Sequence, residues 1–227
     1  MNPFPVVTID GPAGSGKSTI SKLIAARFSF FYLDTGALYR ALAFLVREDG
    51  REDIETCAIE ISGSARFEVK NEQGVFRISV NGRDVSARIR TEEIGMLASK
   101  ISAIPAVRLN LLDIQRGLAK QGGVVAEGRD MGTVVFPGAE IKFYMEASPK
   151  ERARRRHLEL VAKNEPVNLA DIESDIVRRD RQDKERATAP LRIPDNALVI
   201  DTTDKSILDV VDEISGEIER HIHFQGR

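Results

Sequence analysis

Apolar and polar positions along this chain change register several times. From Phe4 to Asp10 a β-branched run, Val6-Val7-Thr8-Ile9, reads as a short buried strand ending at a glycine-rich turn. Ser18 to Phe28 then sets Ile20, Leu23, Ile24 and Phe28 on one helical stripe. Phe30 to Leu33 reads as a second strand, and Gly36 to Glu48 as a helix with Leu38, Leu42, Leu45 and Val46 inward. Cys57 opens an apolar run to Ile61 and is expected to be a small core residue.

The middle of the chain alternates with period two. Phe67 to Lys70 and Val75 to Val80 flank Asn71-Glu72-Gln73-Gly74, a hairpin signature, and Asn81-Gly82 marks a further turn into a short strand near Asp84-Val85. A helix follows near Arg90 to Ser102, so residues 62–103 read as an insertion. Pro105 then opens a helix to about Lys120. Gly123 to Ala126, Ile141 to Met145 and Ala197 to Ile200 read as buried strands, with helices over about 149–163, 168–185 and 205–221. Apolar strands alternating with helices predict an α/β fold: a central parallel five-stranded sheet covered by helices, interrupted by a small antiparallel insertion.

Composition narrows the function classes. Of 227 residues, 42% are hydrophobic and 30% charged, a soluble globular balance, and the formal net charge of −2 offers no global basic field for nucleic acid. One cysteine excludes an intrachain disulfide and a thiol metal site. No apolar run approaches the roughly 20 residues that span a bilayer, and the N-terminus does not resemble a signal peptide. The expectation is a cytoplasmic, monomeric enzyme with small-molecule partners and neither nucleic acid nor membrane.

The turn after the first strand carries the chemistry. Gly11-Pro12-Ala13-Gly14-Ser15-Gly16-Lys17-Ser18 matches G-x-x-x-x-G-K-[ST] between a strand and a helix. The glycines let successive backbone N–H groups curl around an anion, and the helix adds its positive dipole end. Lys17 is expected to reach the β- and γ-phosphates, and the Ser18 hydroxyl to ligate Mg²⁺. The chain therefore reads as binding a nucleoside triphosphate. Switches and motors share this loop, so it does not by itself name a reaction.

A second anion site is foreshadowed by nine arginines between Lys150 and Arg192. Arg152, Arg155 and Arg156 share one helix face, as do Arg179, Asp183 and Arg186. Interspersed acids also allow a solvated, ion-paired surface. Beside a phosphate-binding loop, a cationic clamp on a phosphate is the better reading.

Three further stretches carry a resemblance. Asp34-Thr35-Gly36-Ala37-Leu38-Tyr39-Arg40, Glu127-Gly128-Arg129-Asp130-Met131-Gly132-Thr133-Val134-Val135-Phe136-Pro137 and Arg178 to Arg186 occur in that order. With the phosphate loop and the insertion, nearly the whole chain resembles the bacterial cytidylate kinases, within the nucleoside monophosphate kinases. The resemblance implies a P-loop kinase fold with a core of residues 1–61 and 104–227, a nucleoside-monophosphate-binding insertion at 62–103 and a lid at about 149–165. It implies phosphoryl transfer from ATP with Mg²⁺ to CMP or dCMP; a kinase of the same fold acting on UMP, AMP or shikimate is the alternative. Gly11 to Thr19, with Arg155, are the implied ATP contacts. Arg40, Arg129, Arg179 and Arg186 are implied to hold the CMP phosphate or the transferring group, with Lys17, Arg129, Arg179 and Arg186 catalytic. Asp183 and Thr35 would meet the sugar, and Ser99, Arg108 and Asp130 the cytosine edge.

The residues also admit plainer roles: Ser99 as a polar helix residue, Arg108 paired with Asp113, Asp130 capping a turn, and Tyr39 as packing. Against the resembled pattern, Thr35 stands where some members have Ser, Ser18 where some have Gly, and Glu127 where Asp is often found. A regulatory GTPase would require an N-K-x-D sequence, which the chain lacks, and a nucleic-acid-binding ATPase would require a cleaner basic stripe.

Overall fold

The computed structural model describes residues 4–72, 75–120, 122–162 and 166–225. Strands β1 (Val6–Asp10), β2 (Phe31–Asp34), β6 (Val124–Gly128), β7 (Ile141–Glu146) and β8 (Leu198–Asp201) form one parallel sheet in the order β2-β6-β1-β7-β8. Between β2 and β6 lie β3 (Phe67–Glu72), β4 (Val75–Val80) and β5 (Arg83–Asp84), an antiparallel sheet. Helices α1 (Lys17–Phe28), α2 (Thr35–Asp49), α3 (Ile54–Ser64), α4 (Glu92–Ile101), α5 (Pro105–Leu118), α6 (Pro149–Val161), α7 (Leu169–Glu185) and α8 (Ile207–Gln225) complete the fold.

The sheet separates two apolar layers. Val7, Ile9, Val125 and Phe143 join Ile24 of α1, Leu42 of α2 and Ile214 of α8 in the larger one. Leu33, Val124 and Ala126 face a smaller one with Met131 and Val135. Because β1 is central and pairs with both β6 and β7, the C-terminal ends of three strands open on the same edge. That edge of a parallel sheet is where open α/β folds bind ligands.

The antiparallel sheet is anchored to this core. Phe76, Ile78 and Val80 alternate inward along β4 and are buried with α2. Asn71 donates to the Tyr32 carbonyl of β2 at 2.9 Å, and the Tyr32 and Phe76 rings meet edge-on at 5.6 Å. Arg83 grips Glu48 of α2 with two hydrogen bonds while its guanidinium lies 5.2 Å from the Phe44 ring. The predicted hairpin pairs in register from Phe67↔Val80 to Asn71↔Phe76; Gln73 and Gly74 of its turn lie outside the described residues.

Several expectations need correction. Leu23 is 42% exposed, because α1 turns Ser21 and Ala25 inward instead, one residue around from the anticipated stripe. β8 is an edge strand, not a buried one: only Ile200 of its four residues is covered. The run around Cys57 belongs to a helix, α3, that was not anticipated; Cys57 and Ala58 are buried on it. This helix crosses residue 62, the expected start of the insertion. Five residues after β6, Met131–Val135, form an unanticipated π-helical turn.

Candidate active site

The loop Gly11–Gly16 wraps the end of β1 and delivers Lys17 at the first turn of α1. Gly11 adopts φ +149°, and a Cβ there would fall 2.0 Å from the Met145 carbonyl oxygen, so only glycine lets the loop pass β7. Lys17 is buried; its Nζ donates to the Pro12 carbonyl at 2.6 Å and lies 3.4 Å from Ser15 Oγ. Burial and the neighbouring Arg129 pull its pKa down to about 7. Ser18 Oγ, at the exposed side of the helix, donates to Glu127 Oε2 at 2.9 Å. Glu127 also accepts from the Tyr32 hydroxyl, and burial next to Asp34 raises its pKa.

The end of β6 supplies the opposite wall. Arg129 Nε donates to Asp183 Oδ2 of α7 at 2.8 Å. Asp130 pairs with Arg108 of α5, and Arg186 Nη2 stands 3.9 Å from its other oxygen. The Arg108 guanidinium lies 5.6 Å from the Tyr39 ring centre, so Tyr39 is a packed platform under this pair. Asp130 rather than Asp113 is therefore the partner of Arg108, and Asp130 makes no capping bond to the turn that follows it.

The two acids differ. Burial raises the Asp130 pKa despite Arg108 and Arg186. Burial also acts on Asp183, but Arg129, Arg179 and Arg186 hold it below the usual carboxylate range. The arginines are crowded in turn: burial, Arg179 and Arg90 bring Arg40 down to about 10, and burial with Arg129 lowers Arg179. Arg179 Nε and Arg186 Nη2 are buried and, among the described residues, have no hydrogen-bond partner. Buried donors of this kind are costly unless an anion meets them.

Arg40 reaches from α2 toward the carbonyls of Ile89 and Thr91. It packs over Gly95 of α4, where a Cβ would lie 3.1 Å from Arg40 Nη2. Arg90, not anticipated as a site residue, bonds Asp34 at 2.8 Å beside Arg40. Ser99 lines a cleft of about 780 Å³ between α4 and α7 that Leu97, Lys100, Asp183 and Arg186 also line. Thr35 is buried and its hydroxyl donates to the Glu127 carbonyl at 2.7 Å, so it braces the two strand ends together.

On α6, Arg152 is almost fully buried, donating to the carbonyls of Ala13 and Ala147 and to Asp180 of α7. Arg155 bonds Thr202, whose hydroxyl donates to the Ser15 carbonyl. Arg156 bonds Glu92 of α4 at 3.2 Å, so α6 and α4 touch across the mouth of the site. Of the expected lid, residues 163–165 lie outside the described residues.

Residues 7–220 match the family described as cytidylate kinase. The chain belongs to the cytidylate kinase family. A cytidylate kinase of Marinomonas sp. (strain MWYL1) is 47% identical over 219 residues, covering 96% of each chain. One from Citrifermentans bemidjiense is 42% identical over 218 residues, covering 96% of this chain and 94% of the relative. A solved gluconokinase structure from Sinorhizobium meliloti 1021 covers 100% of this chain and 99% of its own at TM-score 0.50 and 15% identity, a likeness of fold alone. The kinase class and the P-loop kinase fold read from the motifs thus hold.

Within this cytidylate kinase family member, the structure brings together two ion-paired groups, Arg108–Asp130–Arg186 and Arg129–Asp183, whose charges act on each other. Ser99 lines the same cleft as Asp183 and Arg186, and Arg179 is close enough to Arg40 and Arg129 for their charges to act on one another. Sequence reasoning missed Asp10 and Arg90, and it singled out Arg152 as part of a cationic face without foreseeing that it is a buried anchor. For Arg152 a signal existed: its spacing with Arg155 placed both on one face of α6, and that face is turned toward the phosphate loop.

Proposed function

We propose that this chain transfers the γ-phosphoryl group of ATP to the phosphate of CMP, with dCMP also accepted, giving ADP and CDP or dCDP. The observation that carries the reading is the pair of buried donors with no hydrogen-bond acceptor among the described residues, Arg179 Nε and Arg186 Nη2, on the wall that also presents Asp130. A phosphate meeting those donors would place its nucleoside toward Ser99, Arg108 and Asp130.

An oxygen of the acceptor phosphate attacks the γ-phosphorus as the bond to the β-phosphate oxygen breaks. That oxygen is anionic near neutral pH, so no general base is required. The Gly11–Thr19 loop holds the triphosphate through its backbone, and Lys17 moves from the Pro12 carbonyl to the β- and γ-oxygens. Arg129, Arg179 and Arg186 spread the charge of the moving group, with Arg40 on the acceptor phosphate. Asp183, kept ionised, accepts from the ribose. Asp130 accepts from the cytosine amino group, where uracil would present an oxygen. The 149–165 lid, joined to the phosphate loop through Arg152 and Arg155, closes over both nucleotides and excludes water, and the 62–103 subdomain helps enclose the acceptor.

The donor set fits Mg²⁺. Ser18 Oγ and the Glu127 carboxylate, 2.9 Å apart, offer the hard oxygens this ion takes, and no cluster of three or more metal-binding side chains occurs among the described residues. Bound with ATP, Mg²⁺ would neutralise charge on the β- and γ-oxygens. The same reading makes the protein a cytoplasmic monomer; no described helix is long and apolar enough to cross a membrane.

ADP release with CMP, dCMP, UMP, AMP and GMP as acceptors tests the proposal. Turnover with CMP and dCMP well above the others is the expected result. Turnover confined to UMP or AMP would discard the cytosine assignment but keep the kinase, as would activity with shikimate alone in a parallel assay.

A further inference from the structure

Asp10 is the last residue of β1, immediately before the phosphate loop, and it is fully buried. Its two carboxylate oxygens accept the backbone N–H groups of Met131 at 2.8 Å and Gly132 at 2.7 Å. Those amides begin the π-helical turn that follows Arg129 and Asp130. The turn closes through the Val134 and Val135 N–H groups on the Asp130 carbonyl and the Phe136 N–H on the Met131 carbonyl, which leaves the Met131 and Gly132 N–H groups to find acceptors outside it; such turns cluster at functional sites. Here an external carboxylate takes two of its first N–H groups. With both oxygens committed and no exposed surface, Asp10 is in no position to ligate a cation or accept a proton from substrate.

We infer that Asp10 is a positioning residue for the acceptor site: by holding the Met131 and Gly132 amides it sets Arg129 and Asp130 relative to Lys17. The inference rests on the phosphoryl transfer to CMP proposed above. β1 and β6 pair as far as Asp10↔Gly128, so the ladder fixes the chain only up to the residue before Arg129. Beyond that point the clamp from Asp10 continues the registration, sideways, for two more residues. Arg129 and Asp130 are thus held between a ladder on one side and a carboxylate clamp on the other. Their side chains leave in different directions, Arg129 to Asp183 and Asp130 to Arg108, and both depend on this short stretch of backbone. The same Asp10 leads directly into Gly11, so donor loop and acceptor wall share one buried carboxylate.

Asp10→Asn keeps the shape but leaves one oxygen for two N–H groups and points an amide donor at the other. Assayed at pH 8, the variant is expected to raise the KM for CMP about tenfold or more and to lower kcat, while the KM for ATP stays within about twofold. A purely structural role would lower thermal stability and the active fraction without separating the two KM values, and that result would overturn the inference. If Asp10→Asn does not fold, amide exchange in the wild-type chain decides. Met131 and Gly132 protected as strongly as the β1 and β6 amides, with or without CMP, supports the clamp. Protection that appears only with CMP would mean the ligand orders the turn, and would overturn it. A wild-type enzyme that fails to phosphorylate CMP would instead refute the functional reading, which the acceptor panel detects separately.

Discussion

The phosphate loop and the acceptor wall face each other across the sheet edge and are built on opposite principles. The loop is eight contiguous residues, Gly11 to Ser18, shaped by backbone; its one cation, Lys17, bonds Pro12 and Ser15 of the loop itself. The wall draws Arg40, Arg108, Arg129, Arg179 and Arg186 from α2, α5, the end of β6 and α7. Asp130 and Asp183 interleave with them, ion-paired to Arg108 and Arg129. On the wall two buried side-chain donors, Arg179 Nε and Arg186 Nη2, have no hydrogen-bond partner among the described residues. A site made from backbone sits in one stretch of sequence. A site made from converging side chains carries excess charge that only its substrate neutralises, and it depends on the whole fold.

The largest expected effect separates the two directly. Lys17→Met should lower kcat about a thousandfold, whereas Arg179→Ala should lower kcat/KM for CMP and leave ATP affinity, measured calorimetrically, close to wild type. Equal loss of ATP affinity in both would dissolve the distinction. Next, Asp130→Ala should cost about a hundredfold in the ratio of kcat/KM for CMP over UMP, because a required hydrogen-bond partner is lost; an unchanged ratio would place base reading elsewhere.

Asp10 lies on the seam, and its pKa is raised by burial to about 6 from 3.8. A raised carboxyl contributes stability that is complete below the unfolded pKa and is lost as pH rises through the folded one. Stability should therefore fall between about pH 4 and 6 by up to roughly 3 kcal/mol from this group. Denaturant unfolding across that range should show the slope, and Asp10→Asn should remove it. The smallest effect concerns Lys17. At pH 8 a group titrating near 7 is mostly neutral, so ATP binding, by recharging it, should take up close to one proton. Calorimetry in buffers of different ionisation enthalpy reads this, and Lys17→Met should abolish it.

The same contrast governs what was legible in the sequence. The loop was read entire, since spacing, glycines and flanking periodicity all lie within one window. All five strands and most helices were legible from apolar runs. β8 misled because an edge strand can carry the composition of a buried one, and α3 hid because Cys57-Ala58-Ile59 does not advertise helical spacing beside its charged flanks. On the wall, spacing alone paired Arg179, Asp183 and Arg186. Ser99, Arg108 and Asp130 came only through resemblance, because they sit on α4, α5 and the end of β6 and no local pattern joins them. Asp10 was passed over as the end of a strand, since nothing in a sequence announces that a carboxylate will meet two amides 121 and 122 residues away.

Gly95 shows how such a wall resists improvement. It sits inside α4, where glycine weakens a helix by about 1 kcal/mol relative to alanine, so heat-tolerance screening would favour Gly95→Ala. The added methyl, 3.1 Å from the Arg40 guanidinium, would press on the arm that reaches for the acceptor. A search for ruggedness alone would accept this replacement and erode turnover unnoticed, so thermal selections on this scaffold need an activity screen alongside them.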